Sequence, residues 1–484
     1  MSSENDSRLK VQPAVASAAQ QIKEAVSEYR SATPAAENDT LMSSAGETEA
    51  IWPNRASDQP GNQTAVGIHA RRVRRNRPQR NRAAIDANQN QELTAYRGDA
   101  TTSHSRRDLL TGDWTIFASL REQRPNEYAP LETQLESRLE SQRTACTADH
   151  LAIDPACPFC CGSEQQTPDA VWSARLGELT AETSGDSMAR FARPAAEIVH
   201  GGQDNWDVRV VPNKFPAVSP CSDRNETRDN RQTLFPIADV VGGHEVVIES
   251  SHHAESMLQL DSSSIFLALL AYRDRIRHWR DIPGIEYISV FKNSGLEAGA
   301  SLRHSHSQLV ATSIMPHRVA SLLARTEAHR ARTGCSLGCD LLRAELAEKK
   351  RIIGQTDSLV AFCPFASRFA GLIRITSIAH QPHFERLSDA SLDHLSSLLW
   401  RVLSWVNRAF PGKAFNYMLH TCPPGSKQPE SFQWSLDVFP RLNKVAGFEW
   451  SSDCMINSML PEVAAEQYRQ VARQSDPRNV LAIR

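Results

Sequence analysis

Apolar and polar positions follow two different periods from about residue 107 onward. The segments 263–282 and 393–410 carry apolar residues at spacings of three and four, which is typical of helices with one buried face. Short runs rich in β-branched and aromatic residues, each bounded by turn residues, predict strands; these are DWTIFAS, WDVRVVP, HEVVIES and YISVFKN. Alternating strands and helices indicate a mixed α/β architecture.

The first 105 residues show neither period. They are rich in Ala, Ser, Asn, Gln and Arg and are predicted to be a disordered extension, because they offer too little apolar surface to offset the entropy of ordering. The segment HARRVRRNRPQRNR at 69–82 holds seven arginines. It is either an arm for a polyanion or a solvated tail, and the lack of aromatic residues between the arginines favours the tail.

The order of elements recurs, which predicts a duplicated unit. The first copy runs from GGHEVVIESSHHAESMLQLD through the helix at 262–281 to YISVFKN and HSHSQLVATSIMP. The second runs from AGLIRITSIAHQPHFERLSD through a helix at 390–409 to FNYMLHT and QWSLDVFPRL. We therefore expect two globular halves, 106–330 and 331–484.

The two copies differ in chemistry. When QLV at 308–310 is aligned with DVF at 437–439, the second copy has Gln433, Ser435 and Asp437 where the first copy has His304, His306 and Gln308. The first half is predicted to be active and the second, with its degenerate motif, to support it.

Charge and cysteine content narrow the class of protein. Lys and Arg number 54 against 56 Asp and Glu, a formal net charge of −2, so bulk attraction to nucleic acid or to an anionic membrane is not expected. No run of 18 apolar residues predicts a membrane span, and the polar start MSSENDSRLK lacks the core of a secretion signal. The ten cysteines are expected as thiols or metal ligands of a cytoplasmic protein.

The segment His304-Ser305-His306-Ser307-Gln308 carries the densest group of reactive side chains. It follows the Gly-rich stretch NSGLEAGAS and precedes the apolar run LVATSIM. Alternate residues of a strand share one face, which predicts that both imidazoles and the carboxamide point the same way. Solvated strand faces usually carry Lys, Glu or Thr, so repeated histidine indicates a site.

The CPFC segment at 157–160 is the second candidate site. A C-x2-C knuckle places two thiolates within reach of one tetrahedral zinc, which then needs two further ligands. Candidates for these are His252 or His253 and one histidine of the HSH segment.

A looser set of potential ligands lies in the second half, at Cys335, Cys339 and His380. Gln433 stands where a fourth ligand is needed, and a carboxamide is a poor zinc ligand. The sequence leaves open whether this set binds metal.

Several common enzyme motifs are absent from the sequence. It has no G-x-x-x-x-G-K-[ST] phosphate loop, no dinucleotide G-x-G-x-x-G, no H-E-x-x-H and no G-x-S-x-G elbow. If the protein is an enzyme, histidine is the expected nucleophile or base.

Together, the HSHSQ strand, the CPFC knuckle and the duplication resemble the galactose-1-phosphate uridylyltransferase family, the nucleotidyltransferase branch of the histidine-triad superfamily. The resemblance covers roughly residues 107–475 and includes TGDWTIFASLREQRP, RVVPNKFPAV, VVIESSHHAE, VFKNSG and GFEW. It implies an α+β fold of two histidine-triad-like half-barrels of antiparallel strands flanked by helices, assembled as a homodimer.

The resemblance also implies roles for individual residues. His306 matches the nucleophile that takes up a nucleoside monophosphate, and Gln308 matches the residue that hydrogen-bonds the transferred phosphate. Zinc is implied as a structural cofactor, with the ligands Cys157, Cys160, His253 and His304. Six further positions match residues that contact nucleotide or phosphate groups in the family: Arg121, Arg124, Asn213, Phe215, Asn293 and Ser301. Glu449 matches a segment that contacts the hexose phosphate.

The implied reaction moves a nucleoside monophosphate between a nucleotide sugar and a sugar 1-phosphate through a covalent nucleotidyl-histidine. The leading prediction is UDP-glucose–hexose-1-phosphate uridylyltransferase, an enzyme of galactose metabolism. The family's uridylyltransferases carry His-Pro-His-Gly-Gln, whereas His-Ser-His-Ser-Gln also occurs in relatives that are ADP-glucose phosphorylases, which is the alternative. A non-enzymatic nucleotide- or RNA-binding protein is a third possibility, against which His306 beside Gln308 argues.

Overall fold

The structure, a computed structural model, describes residues 103–123, 152–177, 196–199, 205–220 and 234–475. Apart from its last three residues, the extension predicted to be disordered lies outside the described residues. All of the described residues fall in one unit, Asp86–Arg484.

Fourteen strands and six helices account for most of the regular structure in the described ranges. The strands are β1 His104–Arg107, β2 Trp114–Phe117, β3 Trp172–Leu176, β4 Ala196–Ile198, β5 Val208–Pro212, β6 Gly242–Ile248, β7 Tyr287–Ser294, β8 His306–Thr312, β9 Ile352–Gln355, β10 Leu359–Phe362, β11 Ile373–Ser377, β12 Phe415–His420, β13 Ser435–Pro440 and β14 Met455–Asn457. The helices are α1 Ser262–Arg280, α2 His317–Thr333, α3 Leu337–Glu348, α4 Asp389–Ala409, α5 Gly447–Ser452 and α6 Pro461–Ser475.

The main sheet has eleven strands in the order β4-β3-β5-β6-β8-β7-β12-β13-β11-β10-β9, and its neighbours are antiparallel. The run β6-β8-β7 in the first half is repeated as β11-β13-β12 in the second, in mirrored order. Strands β7 and β12 join the copies, with Ser294 opposite Phe415 and Val290 opposite Leu419. The predicted duplication is therefore present as two half-sheets that share one hydrogen-bonded seam.

The helices α1 and α4 occupy equivalent places in the two copies and agree to within one residue with the helices expected at 262–281 and 390–409. Each begins at a side chain that satisfies a free backbone donor. Asp261 accepts the Ser264 N–H at 2.7 Å, and Ser388 accepts the Ser391 N–H at 3.2 Å. Such caps stabilise a helix by about 1 kcal/mol.

The hydrophobic core lies between these two helices and one face of the sheet. Leu269 of α1 and Leu399 of α4 are fully buried there with Leu309 of β8 and Val438 of β13. Burying an aliphatic side chain of this size contributes about 1.5–3 kcal/mol. Because side chains alternate along a strand, His306 and Gln308 lie on the opposite face of β8, away from the core.

Three arginines on one side of α1 hold the second half of the molecule through backbone carbonyls. Arg273 donates to Leu387 at 3.2 Å, Arg277 to Glu385 at 2.8 Å and Arg280 to Cys422 at 2.7 Å. The halves are therefore tied by side chains as well as by the shared seam.

A small sheet of β1, β2 and β14 brings the two ends of the described chain together, with β14 parallel to β2. Arg106 of β1 forms an ion pair with Glu462 of α6 at 3.0 Å. No helix among the described residues combines the length and the hydropathy needed to cross a membrane.

Candidate active site and metal centre

Four side chains from three separate segments form a potential metal site. The sulfur atoms of Cys157 and Cys160 and one ring nitrogen each of His253 and His304 all lie within 4.8 Å of one another. Nδ1 of His304 is 3.5 Å from Cys157 Sγ and 3.6 Å from Cys160 Sγ, and Nδ1 of His253 is 3.5 Å from Cys160 Sγ. A tetrahedron with Zn–S of about 2.3 Å and Zn–N of about 2.05 Å has S···N edges of about 3.6 Å, so these four atoms fit a tetrahedral ion.

Neighbouring groups orient and tune these ligands. His304 donates its Nε2–H to the Ser250 carbonyl at 2.9 Å, which leaves Nδ1 free to face the sulfurs, and burial lowers its pKa to about 4, so the ring is neutral. The Asp154 N–H donates to Cys160 Sγ at 3.4 Å. Burial raises the pKa of Cys160 to about 11, so a bound cation is needed to hold this thiol as thiolate near neutral pH.

The choice between two adjacent histidines is made by the fold. His253 faces the cysteines, and its backbone N–H is held by the Ala152 carbonyl at 3.0 Å. His252 is exposed and its Nδ1 lies 3.2 Å from Ser251 Oγ. His253 is therefore the member of the pair that can bind the ion.

His306 is the first residue of β8 and is buried. Its Nδ1 lies 2.7 Å from the carbonyl oxygen of His304, and a carbonyl only accepts, so Nδ1 carries the proton and Nε2 keeps a free lone pair. Burial lowers the pKa of the ring, which is therefore neutral near pH 7. The Phe159 ring packs on it edge-on, with ring centroids 5.4 Å apart. A neutral ring held in one orientation with a free Nε2 has the properties that a nucleophilic histidine needs.

One detail of the predicted strand differs in the structure. The three side chains were expected on one face of a single strand, but the strand begins at His306, so only His306 and Gln308 share that face. His304 lies ahead of the strand. Its ring is drawn to the two cysteines, and the Ser305 N–H pairs with the Ala254 carbonyl at 2.6 Å.

Gln308 is half-buried two residues beyond His306. Its Oε1 lies 2.8 Å from Nε2 of His244, on the neighbouring strand β6. Asn213, which follows β5, places its Nδ2 3.2 Å from the same ring nitrogen. The structure thus brings Gln308 and Asn213, two residues singled out from the sequence, together through a histidine that the sequence reasoning missed.

A buried polar network supports the strand from its core side. Lys292 Nζ donates to the His306 carbonyl at 2.9 Å, to Ser305 Oγ at 3.0 Å and to Glu249 at 2.5 Å. The Tyr272 hydroxyl donates to Glu249 at 3.1 Å and lies 2.5 Å from Ser307 Oγ. Both serines of HSHS are therefore hydrogen-bonded away from the site, and Lys292 holds the backbone of His306.

The Gly-rich loop after β7 is held by a residue of the second half. Asn416 of β12 donates its Nδ2 to Asn293 Oδ1 and to the Ala298 carbonyl, both at 2.9 Å. Gly295 and Gly299 both have φ of +89°, a conformation that favours glycine, so the loop can turn tightly here. Ser301, at the end of the loop, is exposed. The seam between the copies therefore positions Asn293 beside the strand that carries His306.

The other residues singled out by the resemblance have the following surroundings. Arg121 is exposed on a short helix, Phe215 is 83% exposed, and Arg124 lies outside the described residues. Glu449 is buried at the start of α5, where Oε2 accepts the Ala446 N–H at 3.1 Å. The hydrogen bonds of Arg121, Phe215 and Glu449 within the described residues do not include His306, and the roles of these residues stay predictions.

The second half has different chemistry at the equivalent strand positions. Asp437, aligned with Gln308, makes two hydrogen bonds of 2.7 Å with Arg374. Burial opposes ionisation of Asp437, but the guanidinium more than offsets it and lowers the pKa of that carboxyl. A carboxylate in this place lacks the NH₂ donors of Gln308, and Ser435 stands where the first half has His306.

The looser cysteine set of the second half does not close into a ligand group in the described part of the chain, where Cys157, Cys160, His253 and His304 form the group found. Gln433 Oε1 instead accepts the Gln381 N–H at 3.0 Å and lies 3.7 Å from Cys339 Sγ. Its Nε2 donates to the Ser377 carbonyl at 2.9 Å. The amide is therefore engaged by the protein's own backbone.

Four residues that shape the site were missed: His244, Glu249, Lys292 and Asn416. The sequence could have pointed to two of them. Glu249 and Lys292 are charged residues in apolar strand segments, a pattern that indicates a buried ion pair. His244 and Asn416 gave no such signal, since polar residues alternate with apolar ones on any half-exposed strand.

Comparisons with known proteins agree with this geometry. A family profile described as Domain of unknown function (DUF4921) matches residues 202–480. An ADP-glucose phosphorylase from Arabidopsis thaliana is 31% identical over 381 residues, which cover 78% of this chain and 95% of that protein. A galactose-1-phosphate uridylyltransferase from Thermotoga maritima is 24% identical over 276 residues, covering 55% of this chain and 85% of that protein.

The fold also matches a solved relative over nearly its whole length. A crystal structure of an ADP-glucose phosphorylase from Arabidopsis thaliana with bound ADP-glucose superposes with a TM-score of 0.59 at 28% identity, covering 76% of this chain and 99% of that one. Because the similarity extends over nearly the whole length of these relatives in both sequence and fold, the chain belongs to the galactose-1-phosphate uridylyltransferase family of nucleotidyltransferases.

Proposed function

We propose that the protein transfers the adenylyl group of ADP-glucose to inorganic phosphate through a covalent adenylyl-His306. The observation that carries this proposal is the tautomer of His306, whose Nδ1–H donates to the His304 carbonyl at 2.7 Å and leaves Nε2 free. The choice of ADP-glucose and phosphate is supported by the 31% identity to an ADP-glucose phosphorylase along 95% of its length.

In the first step, His306 Nε2 attacks the α-phosphorus of the nucleotide sugar. The N–P bond forms as the bond to the sugar 1-phosphate oxygen breaks, and glucose 1-phosphate leaves as an anion that needs no proton. The ring gains positive charge in this step, which the carbonyl acceptor at Nδ1 stabilises. In the second step, a phosphate oxygen attacks the same phosphorus, ADP leaves, and His306 is restored.

The neighbouring amides supply donors for the phosphoryl oxygens. With Oε1 of Gln308 engaged by His244, the amide NH₂ is the part available to a group bound in front of His306. Donors aimed at the charge that develops in the transition state are worth about 10²–10³-fold in rate when one is removed. Asn293 and Ser301 are proposed further contacts, and Arg121, Arg124, Asn213, Phe215 and Glu449 stay predictions from the resemblance.

We propose zinc as the ion of the Cys157–Cys160–His253–His304 group. Two thiolates and two imidazoles are a common structural zinc set, and their separations fit a tetrahedron. With four protein ligands, a bound zinc ion would have no open coordination site. It would fix His304, which precedes His306 by two residues.

A uridylyltransferase acting on UDP-glucose and a hexose 1-phosphate is the second candidate. The matches to galactose-1-phosphate uridylyltransferases support it, although at 24% identity over 85% of the Thermotoga maritima protein. Both candidates use the same His306 chemistry and differ in the base and in the acceptor.

A four-way assay separates them. ADP-glucose and UDP-glucose, labelled at the α-phosphorus, are each incubated with enzyme alone, then with phosphate or with galactose 1-phosphate. We expect acid-labile label on the peptide that contains His306, and its discharge to ADP by phosphate. Transfer only from UDP-glucose to galactose 1-phosphate would replace the proposal by the second candidate, and no protein label with either donor would contradict both.

A further inference from the structure

We propose that His244 is a positioning residue that sets the direction of the Gln308 amide and so presents its NH₂ group to the transferred phosphate. The expected effect on catalysis rests on the proposed function. The contact between His244 of β6 and Gln308 of β8 does not depend on that function.

The protonation of His244 follows from its two ring contacts. The Ala217 N–H donates to Nδ1 at 3.2 Å, so Nδ1 holds a lone pair and the proton of the neutral ring is on Nε2. Nε2 lies 2.8 Å from Gln308 Oε1 and 3.2 Å from Asn213 Nδ2. The amide oxygen is an acceptor and is the nearer of the two, so the Nε2–H donates to Gln308.

This contact decides which end of the amide faces the site. If the Gln308 amide rotated by half a turn, its NH₂ group would face the Nε2–H of His244, as the NH₂ group of Asn213 already does, and this N–H would lose Gln308 Oε1 as its acceptor. The observed direction instead leaves the NH₂ group unused by His244. A phosphoryl oxygen bound at His306 needs donors, so the observed direction is the productive one.

The strand itself does not require a histidine at this position. His244 stands opposite Val310, and Val246 stands opposite Gln308, so an apolar residue would satisfy the sheet equally well. The imidazole reaches diagonally to Gln308 and at the same time accepts from the segment after β5. That segment contains Asn213 and Phe215, so His244 links two sets of predicted contacts.

Two variants separate the contacts of the ring. His244→Gln retains a donor near the place of Nε2, whereas His244→Asn retains an acceptor near Nδ1 and has no donor that reaches Gln308. We expect His244→Asn to lower the single-turnover rate of sugar 1-phosphate release from ADP-glucose roughly 10- to 100-fold. KM, measured in the steady state, is expected to change little. His244→Gln is expected to keep the rate within about threefold of wild type and to raise KM, because the Ala217 N–H loses its acceptor.

A double-mutant cycle tests whether His244 acts through Gln308. In the Gln308→Ala background, His244→Asn is expected to cause no further loss of rate. Equal losses in both backgrounds, or a His244→Gln variant as slow as His244→Asn, would overturn the proposal. Circular dichroism and metal content are compared across the variants so that a folding defect is recognised.

A spectroscopic measurement keeps this test independent of the proposed function. In protein labelled with ¹⁵N-histidine, the His244 signals, identified by their loss in His244→Gln, are expected to show the Nε2–H tautomer and to shift at Nε2 in Gln308→Ala. An Nδ1–H tautomer would refute the inference whatever the activity. A correct tautomer in a protein that never forms a nucleotidyl-histidine would instead refute the proposed function.

Discussion

His304 and His306 stand two residues apart, yet hydrogen bonds to carbonyl oxygens give their rings opposite tautomers. His304 donates from Nε2 to Ser250 and turns Nδ1 to the cysteines, whereas His306 donates from Nδ1 to His304 and leaves Nε2 free. Both rings are neutral because burial lowers their pKa values. These tautomers suit the proposed roles, His304 as a metal ligand and His306 as the nucleophile.

Replacing His306 tests this division at the scale of one residue. We expect His306→Gly to lower formation of the nucleotidyl-enzyme by more than about 10³-fold, because the substitution removes the attacking nitrogen. Metal content by elemental analysis is expected to stay at the wild-type level. The matched control is His252→Gly, an exposed histidine outside the ligand group. Loss of metal in His306→Gly would show that the ring is a ligand.

At the scale of elements, the CPFC knuckle and the start of β8 are joined by the proposed metal site. Phe159 of the knuckle packs against the rings of both His304 and His306, with centroids 6.0 and 5.4 Å apart. The knuckle therefore contributes two of the four potential ligands and a packing surface for His306.

We expect Cys157→Ser to lower both the metal content and the midpoint of thermal unfolding, because an incomplete tetrahedral shell loses much of the binding free energy that stabilises the folded state. Metal analysis after dialysis and calorimetry measure the two effects. Cys161→Ser is the matched control, since Cys161 adjoins the knuckle but lies outside the ligand group. Unchanged metal in Cys157→Ser would reject the assigned ligands.

The ion pair between Glu249, just after β6, and Lys292 of β7 makes a second prediction at this scale. Both side chains are fully buried, so Lys292→Met leaves an unpaired carboxylate and is expected to cost about 3–5 kcal/mol in urea unfolding. The double variant Glu249→Gln, Lys292→Met is expected to recover part of this loss.

A pair of exposed residues provides the comparison for that experiment. Arg175 and Glu197 join β3 to β4 with side chains 40% and 51% exposed, so Arg175→Met is expected to cost less than about 1 kcal/mol. If Lys292→Met costs no more than Arg175→Met, the buried pair does not stabilise the catalytic strand.

At the scale of the whole molecule, the site of the first half depends on the second. Asn416 of β12 holds Asn293 and the Gly-rich loop, and three arginines of α1 bind carbonyls of the second half. The second copy has lost the histidines but supplies the seam that fixes the loop. The second copy therefore contributes to the site of the first by positioning this loop.

The extension before β1 is expected to be dispensable for turnover. Deleting residues 1–102 leaves His104 paired with Phe117 and keeps the Arg106–Glu462 ion pair, so activity on a nucleotide sugar is expected to stay within about threefold of wild type, about 0.7 kcal/mol in barrier. Deleting residues 1–107 is the comparison, because it removes β1 and should lower the unfolding temperature. A stable 1–102 deletion that is inactive even at high salt would make the extension part of the site.

Much of the site could be predicted from the sequence because its signals are local. The periods of 262–280 and 389–409, the C-x2-C spacing and the alternation of His306 with Gln308 each depend on residues within a few turns or one strand of each other. Local geometry is set by backbone sterics and by the burial of one face, so the pattern of apolar residues is enough to predict it.

Other features were decided by contacts between distant parts of the chain. The choice of His253 over His252, the pairing of Lys292 with Glu249 across 43 positions and the reach of His244 to Gln308 across 64 depend on which strands become neighbours and how they align. A shift of one residue in the register of β6 and β8 would turn His244 to the core. The sequence by itself determined the reactive groups and the elements that carry them, and tertiary structure decided their tautomers, their partners and the direction in which each one points.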